Sequence, residues 1–474
     1  MATYYVSAPG TTLGGAGTVG DPWTHIHYAM AQLRAGDTLK MNAGTYTAGM
    51  SWNSLTAYGG WHNGTGSSLI TVEPVTYTAD TTRGIPAGTS SAIWRVSGGG
   101  GALNMTPNVG YWSFRGIEFD ATNQVRATAL AYISLNNGTN NVEFRNCWMS
   151  KRSNTTNSLT QHIELANSGA GTGILNNAVR YCLTSGADAA CSHDFYFRSS
   201  GNVVEYNDFT GSQQYGALQF FSSTGAGFAI NDNIVRFNWF HDYPNTGSNQ
   251  SPVLFSLNAN RNLVYGNIIT NNLGRRGIDL RGGSGVSGAA DGNVIAYNTI
   301  TGGAEGINIV SSGFTNTVVK NNIAYGNGAS SAFNYIDSGT TTDALTNGFD
   351  GTNPVFTDSG ADDYTLGGAS PYLSGGTVLG SPFDDADYVG VVRDSNRSYG
   401  VYETDAGTTP VPPINVYPNP SGYTVNKNAA TVLIGLSVTD SNSPSPLLTE
   451  CWLSLADTNA TWTAVDTSGG ATSN

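Results

Sequence analysis

The sequence is poor in charged residues and above all in lysine. Only 11% of its 474 residues are Asp, Glu, Lys or Arg, lysine occurs just four times, and the formal net charge is −13. A nucleic-acid partner would require a basic surface that replaces phosphate counterions, and an anionic membrane surface makes the same demand. Neither partner is therefore expected. Acidic sugars are not excluded, since a few local arginines suffice to hold them.

Long apolar runs and metal-binding cysteine patterns are also missing. No stretch approaches the roughly 18 apolar residues of a membrane span, so no span is expected. The cysteines Cys147, Cys182, Cys191 and Cys451 form no CxxC pair and are too sparse for a disulfide framework. We expect them to be buried small apolar residues. Residues 1–6 resemble a strand and not a secretion leader, which favours a virion or extracellular location after removal of a signal or release by lysis.

Glycine and hydrophobic residues, by contrast, are abundant. The sequence contains 61 glycines, and 39% of its residues are hydrophobic. This composition differs from that of a disordered chain and is typical of an all-β protein with many turns.

A short sequence motif with aliphatic or aromatic residues recurs from about residue 140. Its last positions are spaced 24 to 36 residues apart, and all but one are asparagine: Asn146, Cys182, Asn207, Asn238, Asn267, Asn298 and Asn322. An asparagine at a sharp bend tolerates the left-handed backbone region, and its amide can bond to the next coil about 4.8 Å away. The repeat therefore predicts stacked coils with an internal asparagine ladder.

A second motif follows the copies of the first motif and has the pattern apolar–variable–apolar. It occupies 163–165, 195–197, 218–220, 255–257, 278–280 and 307–309. This alternation is the signature of a strand with one buried face. Several short strands per repeat without helical periodicity predict a parallel β-helix.

Both ends of this region carry further motifs. The N-terminal ones are YYVS (4–7), DPW (21–23), AGDTL (35–39) and AGTY (43–46); the C-terminal ones are NPVF (353–356), DYTL (363–366), SP (370–371) and YGVYE (399–403). With these motifs, residues 3–403 resemble the pectin-lyase-like superfamily, which includes tailspikes and polysaccharide lyases. The resemblance implies an all-β, right-handed parallel β-helix solenoid. The spacing of Ile26, Ala29, Met30 and Leu33 predicts a short helix that caps its open end.

The expected domain organisation has four parts. Residues 1–50 form the N-terminal cap and first coil, and residues 51–403 the β-helix. Residues 404–420 contain five prolines and read as a semi-rigid linker. Residues 421–474 resemble a partial immunoglobulin- or cadherin-like β-sandwich, which is short for such a module.

The outward-facing positions of the strands predicted from the second motif form the candidate site. The central column is predicted to run through Glu164, Tyr196, Gln219, Ser256, Asp279 and Asn308. Two residues earlier lie His162 and Asp194, and two residues later lie Arg198, Asn258 and Arg281. The resemblance implies that sugar chains bind along this face. The predicted catalytic residues are Glu164, Asp194 and His193, and the predicted substrate-binding residues are His162, Tyr196, Arg198, Gln219, Asp279 and Arg281. The alternative is that these are ordinary solvated sheet positions.

Catalytic signatures of the superfamily are incomplete. Lyase chemistry needs a basic residue, for which Lys151-Arg152 is a candidate, and often an acidic Ca²⁺ site. Ser192-His193-Asp194 only partly matches the hydrolase pattern, and the Asp-Pro-His of epimerases is missing. Arg275-Arg276 either binds an anionic group or solvates a turn. No motif indicates a cofactor, although Ca²⁺ is compatible with a lyase.

Three functions therefore stay open. The favoured function is that of a carbohydrate-engaging β-helix on a phage particle, similar to a tailspike or fibre. Such a protein binds a surface polysaccharide, with or without cleaving it. The second is a non-catalytic structural or decoration protein of a virion. The third is a secreted bacterial polysaccharide lyase or epimerase. The expected partners are a cell-surface glycan and, for the virion functions, two further copies in a homotrimer or other virion proteins.

Overall fold

The chain winds as stacked coils whose short strands form three parallel sheets. The computed structural model describes residues 1–9, 11–49, 55–77, 91–95, 101–105, 108–121, 131–135, 138–150, 161–165, 176–187, 193–211, 216–221, 230–243, 251–271, 274–282 and 289–403. The predicted linker and C-terminal module lie outside these residues, as do Cys191 and Cys451. The predicted right-handed parallel β-helix is confirmed.

Each sheet takes its strands from successive coils in sequence order. Sheet 1 consists of Thr3–Val6, Thr38–Met41, Ile70–Pro74, Gly110–Arg115, Asn140–Arg145, Ala178–Arg180, Val203–Glu205, Ile234–Arg236, Leu263–Tyr265, Val294–Ala296 and Val318–Lys320. Sheet 2 consists of Gly44–Tyr46, Ala92–Arg95, Glu118–Asp120, Trp148–Ser150, Leu183–Ala187, Asp208–Gly211, Trp239–His241, Ile268–Ile269, Thr299–Thr301 and Ile323–Tyr325. Sheet 3 consists of Leu103–Met105, Ala131–Leu135, Gln161–Leu165, His193–Phe197, Gly216–Phe220, Val253–Ser256, Arg276–Arg281, Glu305–Ile309 and Tyr335–Asp337.

Short elements complete the described structure. Two small parallel pairs join Ile230–Asn231 to Ala259–Asn260 and Ala290–Asp291 to Phe314–Thr315, and one antiparallel pair joins Phe356–Asp358 to Asp363–Leu366. The 3₁₀ turns are Thr56–Tyr58, Ser331–Phe333 and Ser359–Ala361. The predicted helix is present as Ile26–Gln32, and its apolar face enters the common core. Among the described residues, no helix has the length and apolar character to span a membrane.

The core is filled by like side chains stacked from coil to coil. Phe197, Phe220 and Phe255 occupy the same inward position of sheet 3, with ring centroids 4.7 and 4.4 Å apart. Phe209 stacks on Phe240 in sheet 2 at 4.7 Å. Because parallel strands lie about 4.8 Å apart, identical rings in register stack face to face.

The predicted asparagine ladder runs along the bend between sheets 1 and 2. Each rung from Asn207 to Asn322 is buried, and its backbone N–H and side-chain Nδ2 both donate to the Oδ1 of the next asparagine at 2.9–3.0 Å. The ladder ends on Asn347, one coil beyond the last predicted rung. It satisfies backbone groups that the sharp bend would otherwise leave buried without partners.

The alignment of the first coil on this ladder was wrong by one residue. Arg145 is in register with Arg180, so the rung preceding Cys182 is Cys147 and not Asn146. The left-handed residue is likewise not the rung but the residue before it, as at Asn146, Tyr206 and Phe237. The bend therefore uses two residues: one takes the positive φ, and the next directs its side chain inward.

A second asparagine ladder, absent from the sequence prediction, runs along the bend from sheet 3 to sheet 1. Its rungs are Asn177, Asn202, Asn233, Asn262 and Asn293. They follow the same rule, because Asn176, Gly201, Asp232, Arg261 and Gly292 immediately before them all have positive φ. Two parallel ladders thus fix the coil at both ends of the sheet 1 strands from Val203–Glu205 to Val294–Ala296.

Cys147 and Cys182 are buried and free, as expected for these two cysteines, and they continue the first ladder. The Cys182 N–H donates to Asn207 Oδ1 at 2.8 Å, but its sulfur makes weaker contacts, with backbone carbonyls at 3.3 and 3.6 Å and with Cys147. An asparagine here would donate to Asn207 and offer an acceptor to the Cys147 N–H.

We therefore expect Cys182→Asn to stabilise the protein, by about 1 kcal/mol for the added hydrogen bonds. Thermal unfolding monitored by circular dichroism measures the change. Cys182→Ser is the matched control, because it is polar yet too short to reach the next rung. A Cys182→Asn variant less stable than Cys182→Ser would contradict the assignment of residue 182 as a rung.

The predicted C-terminal motifs lie in a segment that packs on the outside of the last coils. Phe383 contacts the Tyr265 ring edge-on at 5.0 Å, and Val401 and Tyr402 pack with Ile268 of sheet 2. We call residues 353–403 the C-terminal strap. It covers the outer surfaces of sheets 1 and 2 in these coils but includes no strand of sheet 3.

Candidate functional site

The candidate site lies on the outer face of sheet 3. Backbone register defines its central column as Asn104, Ser134, Glu164, Tyr196, Gln219, Leu254, Asp279, Asn308 and Ile336. The predicted column was correct except at Ser256, which pairs with Arg281 in the neighbouring column; Leu254 takes the central position. The prediction that Asn258 shares the neighbouring column with Arg281 was wrong for the same reason, because Ser256 occupies that position.

Glu164, Tyr196 and Arg198 form the first polar cluster. Glu164 and Tyr196 are adjacent in register, and both are more than nine-tenths buried. The Arg198 guanidinium lies over the Tyr196 ring, 4.9 Å from its centroid, and donates to its hydroxyl at 3.2 Å. Burial raises the pKa of Glu164, while the positive charge of Arg198 partly lowers it. The cluster therefore combines a carboxyl group that readily holds a proton with a cation fixed by an aromatic ring.

Gln219 and Phe221 continue this cluster on the next coil. Gln219 follows Tyr196 in the central column, and the half-buried Phe221 ring lies 6.2 Å from the Tyr196 ring. Phe221 was missed by the sequence prediction because it lies just after its strand, where the alternation ends. Together these side chains present an amide and two rings beside one arginine.

His193 lies at the start of the Tyr196 strand. It is 4% exposed, and its ring centroid is 5.3 Å from that of Tyr196. Burial lowers the pKa of His193 to about 3, while a hydrogen bond with the Gln219 side chain acts to raise it. The imidazole is therefore neutral at neutral pH, so it can accept or donate a hydrogen bond but supplies no charge.

Asp194 is completely buried, unlike a solvent-facing residue of this sheet. Its negative charge raises the pKa of the buried Tyr243, and that effect is secondary to burial itself. The Arg275 guanidinium lies 5.7 Å from the Tyr243 ring centroid and is also buried. Asp194, Tyr243 and Arg275 thus form an internal polar group beside sheet 3, a role that sequence alternation alone did not indicate.

A second polar cluster surrounds Asp279. This fully buried carboxylate accepts from Ser251 at 3.2 Å, from Arg276 at 3.2 Å and from Arg281 Nε at 2.6 Å. Arg276 also donates to Glu305 at 2.5 Å, and Asn308 bonds to the same carboxylate. The structure brings together the predicted Asp279 and Arg281 and adds Ser251 and Glu305, which the column alignment had not included.

Leu254 separates the two clusters. Four coil steps of about 4.8 Å place Glu164 about 19 Å from Asp279 along the axis. That distance is too long for one bond to be attacked by both carboxyl groups, which lie within 10 Å of each other in glycosidases. The two clusters are therefore too far apart to act on one bond.

Three further predicted features are His162, the Lys151-Arg152 pair and a Ca²⁺ site. The His162 backbone lies in sheet 3 beside Ile163, but its side chain lies outside the described residues, as do Lys151 and Arg152. In the described ranges, no group of three or more His, Cys, Asp or Glu side chains is arranged to hold a metal ion.

Comparisons with known proteins agree with this architecture. Residues 161–349 match the family model for a right handed beta helix region. The structure of pectate lyase Pel9A superposes with a TM-score of 0.53 at 13% identity, covering 85% of this chain and 97% of that one. A rhamnogalacturonan lyase gives a TM-score of 0.44 at 12% identity, covering 87% and 97%. No curated protein matches the chain. The resemblance to pectin-lyase-like proteins is thus confirmed for the fold.

Proposed function

We propose that the outer face of sheet 3 binds a polysaccharide chain that runs parallel to the helix axis. The observation that carries this proposal is the register of side chains in one column. Glu164, Tyr196 and Gln219 lie on three successive coils, and Asp279 and Asn308 follow on two more coils beyond Leu254. Such a column presents groups at a regular spacing of about 4.8 Å. The pectate lyase with a similar fold supports the same ligand class.

The first cluster has the chemistry that sugar recognition needs. A planar guanidinium such as that of Arg198 donates several hydrogen bonds in a fixed geometry to hydroxyls or to a uronate carboxylate. The Tyr196 ring holds this guanidinium in place, which reduces the entropy lost when a ligand binds. Gln219 adds both a donor and an acceptor.

The geometry supports binding more strongly than cleavage. Glu164 has a raised pKa and is the group best suited to transfer a proton to or from a bound sugar. Its predicted partner Asp194 lies on the neighbouring coil but is enclosed with Tyr243. Proton transfer in this proposal is therefore assigned to Glu164 alone, and the pairing of two carboxyl groups is not part of it.

Replacing Arg198 tests the binding site. We expect Arg198→Ala to weaken polysaccharide binding about 10- to 100-fold, as for loss of hydrogen bonds from a charged donor. Isothermal titration calorimetry after a screen of neutral and acidic polysaccharides measures the effect. Arg261→Ala is the matched control, because Arg261 is exposed on the bend that leads from sheet 3 into sheet 1, outside the column, and forms an ion pair with the exposed Asp232. Equal affinities for the two variants would contradict the proposed site.

A separate experiment addresses cleavage. If the screen detects product formation, Glu164→Gln is expected to abolish turnover while leaving binding within about threefold, because glutamine keeps the shape and loses the exchangeable proton. Release of unsaturated products with ultraviolet absorbance identifies a lyase, whereas new reducing ends without it identify a hydrolase. Undiminished turnover by Glu164→Gln would exclude Glu164 as the proton-transfer group.

We further propose that the protein works on a virus particle, as a tailspike-like appendage. The proposal rests on the combination of a sugar-binding β-helix face with a low lysine content and an appended C-terminal segment. A trimer in multi-angle light scattering would support it, and a monomer would favour the secreted lyase or epimerase. A protein that binds no polysaccharide in the screen would instead fit the purely structural virion role.

A further inference from the structure

A column of three arginines crosses the outer face of sheet 1, away from the proposed sugar site. Arg115, Arg145 and Arg180 are the last residues of three consecutive sheet 1 strands and are paired in register. Adjacent strands lie about 4.8 Å apart, so three positive charges follow one another at that spacing. Like charges in direct register repel one another, so such a column favours the approach of anionic groups.

Among the described residues, two carboxylates, Glu143 and Glu205, pair with the column. Glu143 is shared between Arg145 at 3.8 Å and Arg180 at 3.5 Å. Glu205 is shared between Arg180 at 2.8 Å and Arg236 at 2.6 Å. Arg115 directs its Nε to the Ser113 hydroxyl at 2.8 Å.

The surrounding face is positive, although the whole chain carries −13. The charged side chains on this face, from the second strand to the eighth, are Lys40, Glu73, Arg115, Glu143, Arg145, Arg180, Glu205 and Arg236. Five basic and three acidic side chains leave a net charge of +2. The side chains of Arg145 and Arg180 are 23% and 32% exposed, so both are partly accessible to solvent.

Tyrosines fix the edge of this column. The Arg145 guanidinium lies 4.8 Å from the Tyr181 ring centroid, and Tyr181 stacks on Tyr206 at 5.0 Å. Tyr77 donates its hydroxyl to Asn146 at 2.9 Å. A guanidinium packed on an aromatic ring is held in position and is less strongly hydrated than a lysine, which favours binding of carboxylate or sulfate groups.

We propose that Arg115, Arg145 and Arg180 form a second binding site, specific for a polyanionic glycan. The repeated charges suit a chain that carries a carboxylate or sulfate on successive sugars, and each guanidinium can bind such a group through two parallel hydrogen bonds. This site is independent of the polysaccharide site on sheet 3 and stands if that proposal fails. Where one chain reaches both faces, or several chains lie in one matrix, the two sites together increase the avidity.

Binding of two defined polyanions tests the proposal. Polygalacturonate supplies carboxylates, dextran sulfate supplies sulfates, and neutral dextran is the negative control. At low ionic strength, the Arg145→Ala/Arg180→Ala double variant is expected to bind at least one polyanion tenfold or more weakly than the wild type. The control Arg261→Ala is expected to change affinity less than twofold, and added salt should weaken the wild type more than the double variant, because screening acts on the charges that remain.

A charge-conserving variant separates binding from folding. Arg145→Lys/Arg180→Lys should keep most of the affinity, and its unfolding midpoint gives the structural reference for the alanine variant. Preference for polygalacturonate identifies carboxylate recognition, and preference for dextran sulfate identifies sulfate recognition. The proposal is overturned if the wild type binds neither polyanion, or if the double variant binds both as well as the wild type does. An Arg198→Ala variant that retains polyanion binding shows that the sheet 1 site is separate from the sheet 3 site.

Discussion

Replacing Asn267 with leucine is expected to destabilise the β-helix by about 4 kcal/mol or more, since several buried polar groups lose their partners at once. The Asn267 side chain donates to Val235 O at 3.0 Å, to Tyr265 O at 3.2 Å and to Asn298 Oδ1 at 3.0 Å. Its Oδ1 accepts from both nitrogens of Asn238 at 3.0 Å. Leucine is similar in size but can form none of these bonds.

Asn260→Leu is the matched control for this prediction. Asn260 also bonds to neighbouring coils, to Asn231 at 2.9 Å and from Asp291 at 2.8 Å, but it is half-buried. Water can replace its bonds, so we expect a loss of about 1 kcal/mol or less. Urea unfolding of both variants measures the difference. Similar losses at the two positions would mean that the ladder contributes shape and no special hydrogen bonding.

The sequence predicted the ladder because asparagine and the aliphatic frame recur together. Asn207, Asn238, Asn267, Asn298 and Asn322 all lie where the repeat placed them. The second ladder was missed since the residues beside its rungs vary more, with Gly201, Asp232 and Arg261 taking the left-handed position. The physical requirement is the same at both bends, but only the first bend is accompanied by a regular sequence motif.

Register was harder to predict than fold. The segment 253–257 reads Val-Leu-Phe-Ser-Leu and contains two overlapping apolar–variable–apolar triplets. Pairing of Phe255 with Phe220 and with Leu280 selects the first triplet, so Leu254 faces outward. The choice depends on which side chains stack in neighbouring coils, and a pattern within one coil contains no such information.

The site residues show a similar division. Alternation correctly brought Glu164, Tyr196 and Asp279 to one column, because strand geometry alone decides that. It did not predict that Asp194 is wholly buried beside Tyr243, since burial depends on side chains from distant segments. The catalytic roles assigned to Glu164, Asp194 and His193 stay predictions.

The C-terminal strap contains a buried ion pair whose loss should be costly. Arg393 donates to Glu403 at 3.1 Å and to the carbonyls of Gly400 and Val401 at 3.0 and 3.1 Å, and its guanidinium lies 3.8 Å from the Tyr297 ring centroid. Both side chains of the pair are at most 2% exposed. Burial raises the pKa of Glu403 to about 7, with Arg393 acting in the opposite direction, and burial also lowers the pKa of Arg393. Desolvation thus outweighs the attraction for both partners.

The sign of the pH dependence follows from the raised pKa of Glu403. The folded strap binds a proton that the unfolded chain releases above its ordinary pKa of 4.5. The stabilisation associated with that proton is complete below about pH 4.5 and is lost as the pH rises through about 7. At pH 8 the carboxylate is charged and depends on Arg393, whereas at pH 5 it is protonated and does not.

We therefore expect Arg393→Met to destabilise the strap by about 3–5 kcal/mol at pH 8, because it leaves a buried carboxylate without its cation, and by clearly less at pH 5. Adding Glu403→Gln should restore part of the loss at pH 8 and little at pH 5. Urea unfolding at both pH values, with hydrogen exchange of residues 393–403 as the local measure, checks both statements. The same loss at pH 5 and pH 8 would show that Arg393 acts through packing on Tyr297 and its carbonyl bonds, since those contacts do not depend on the charge of Glu403.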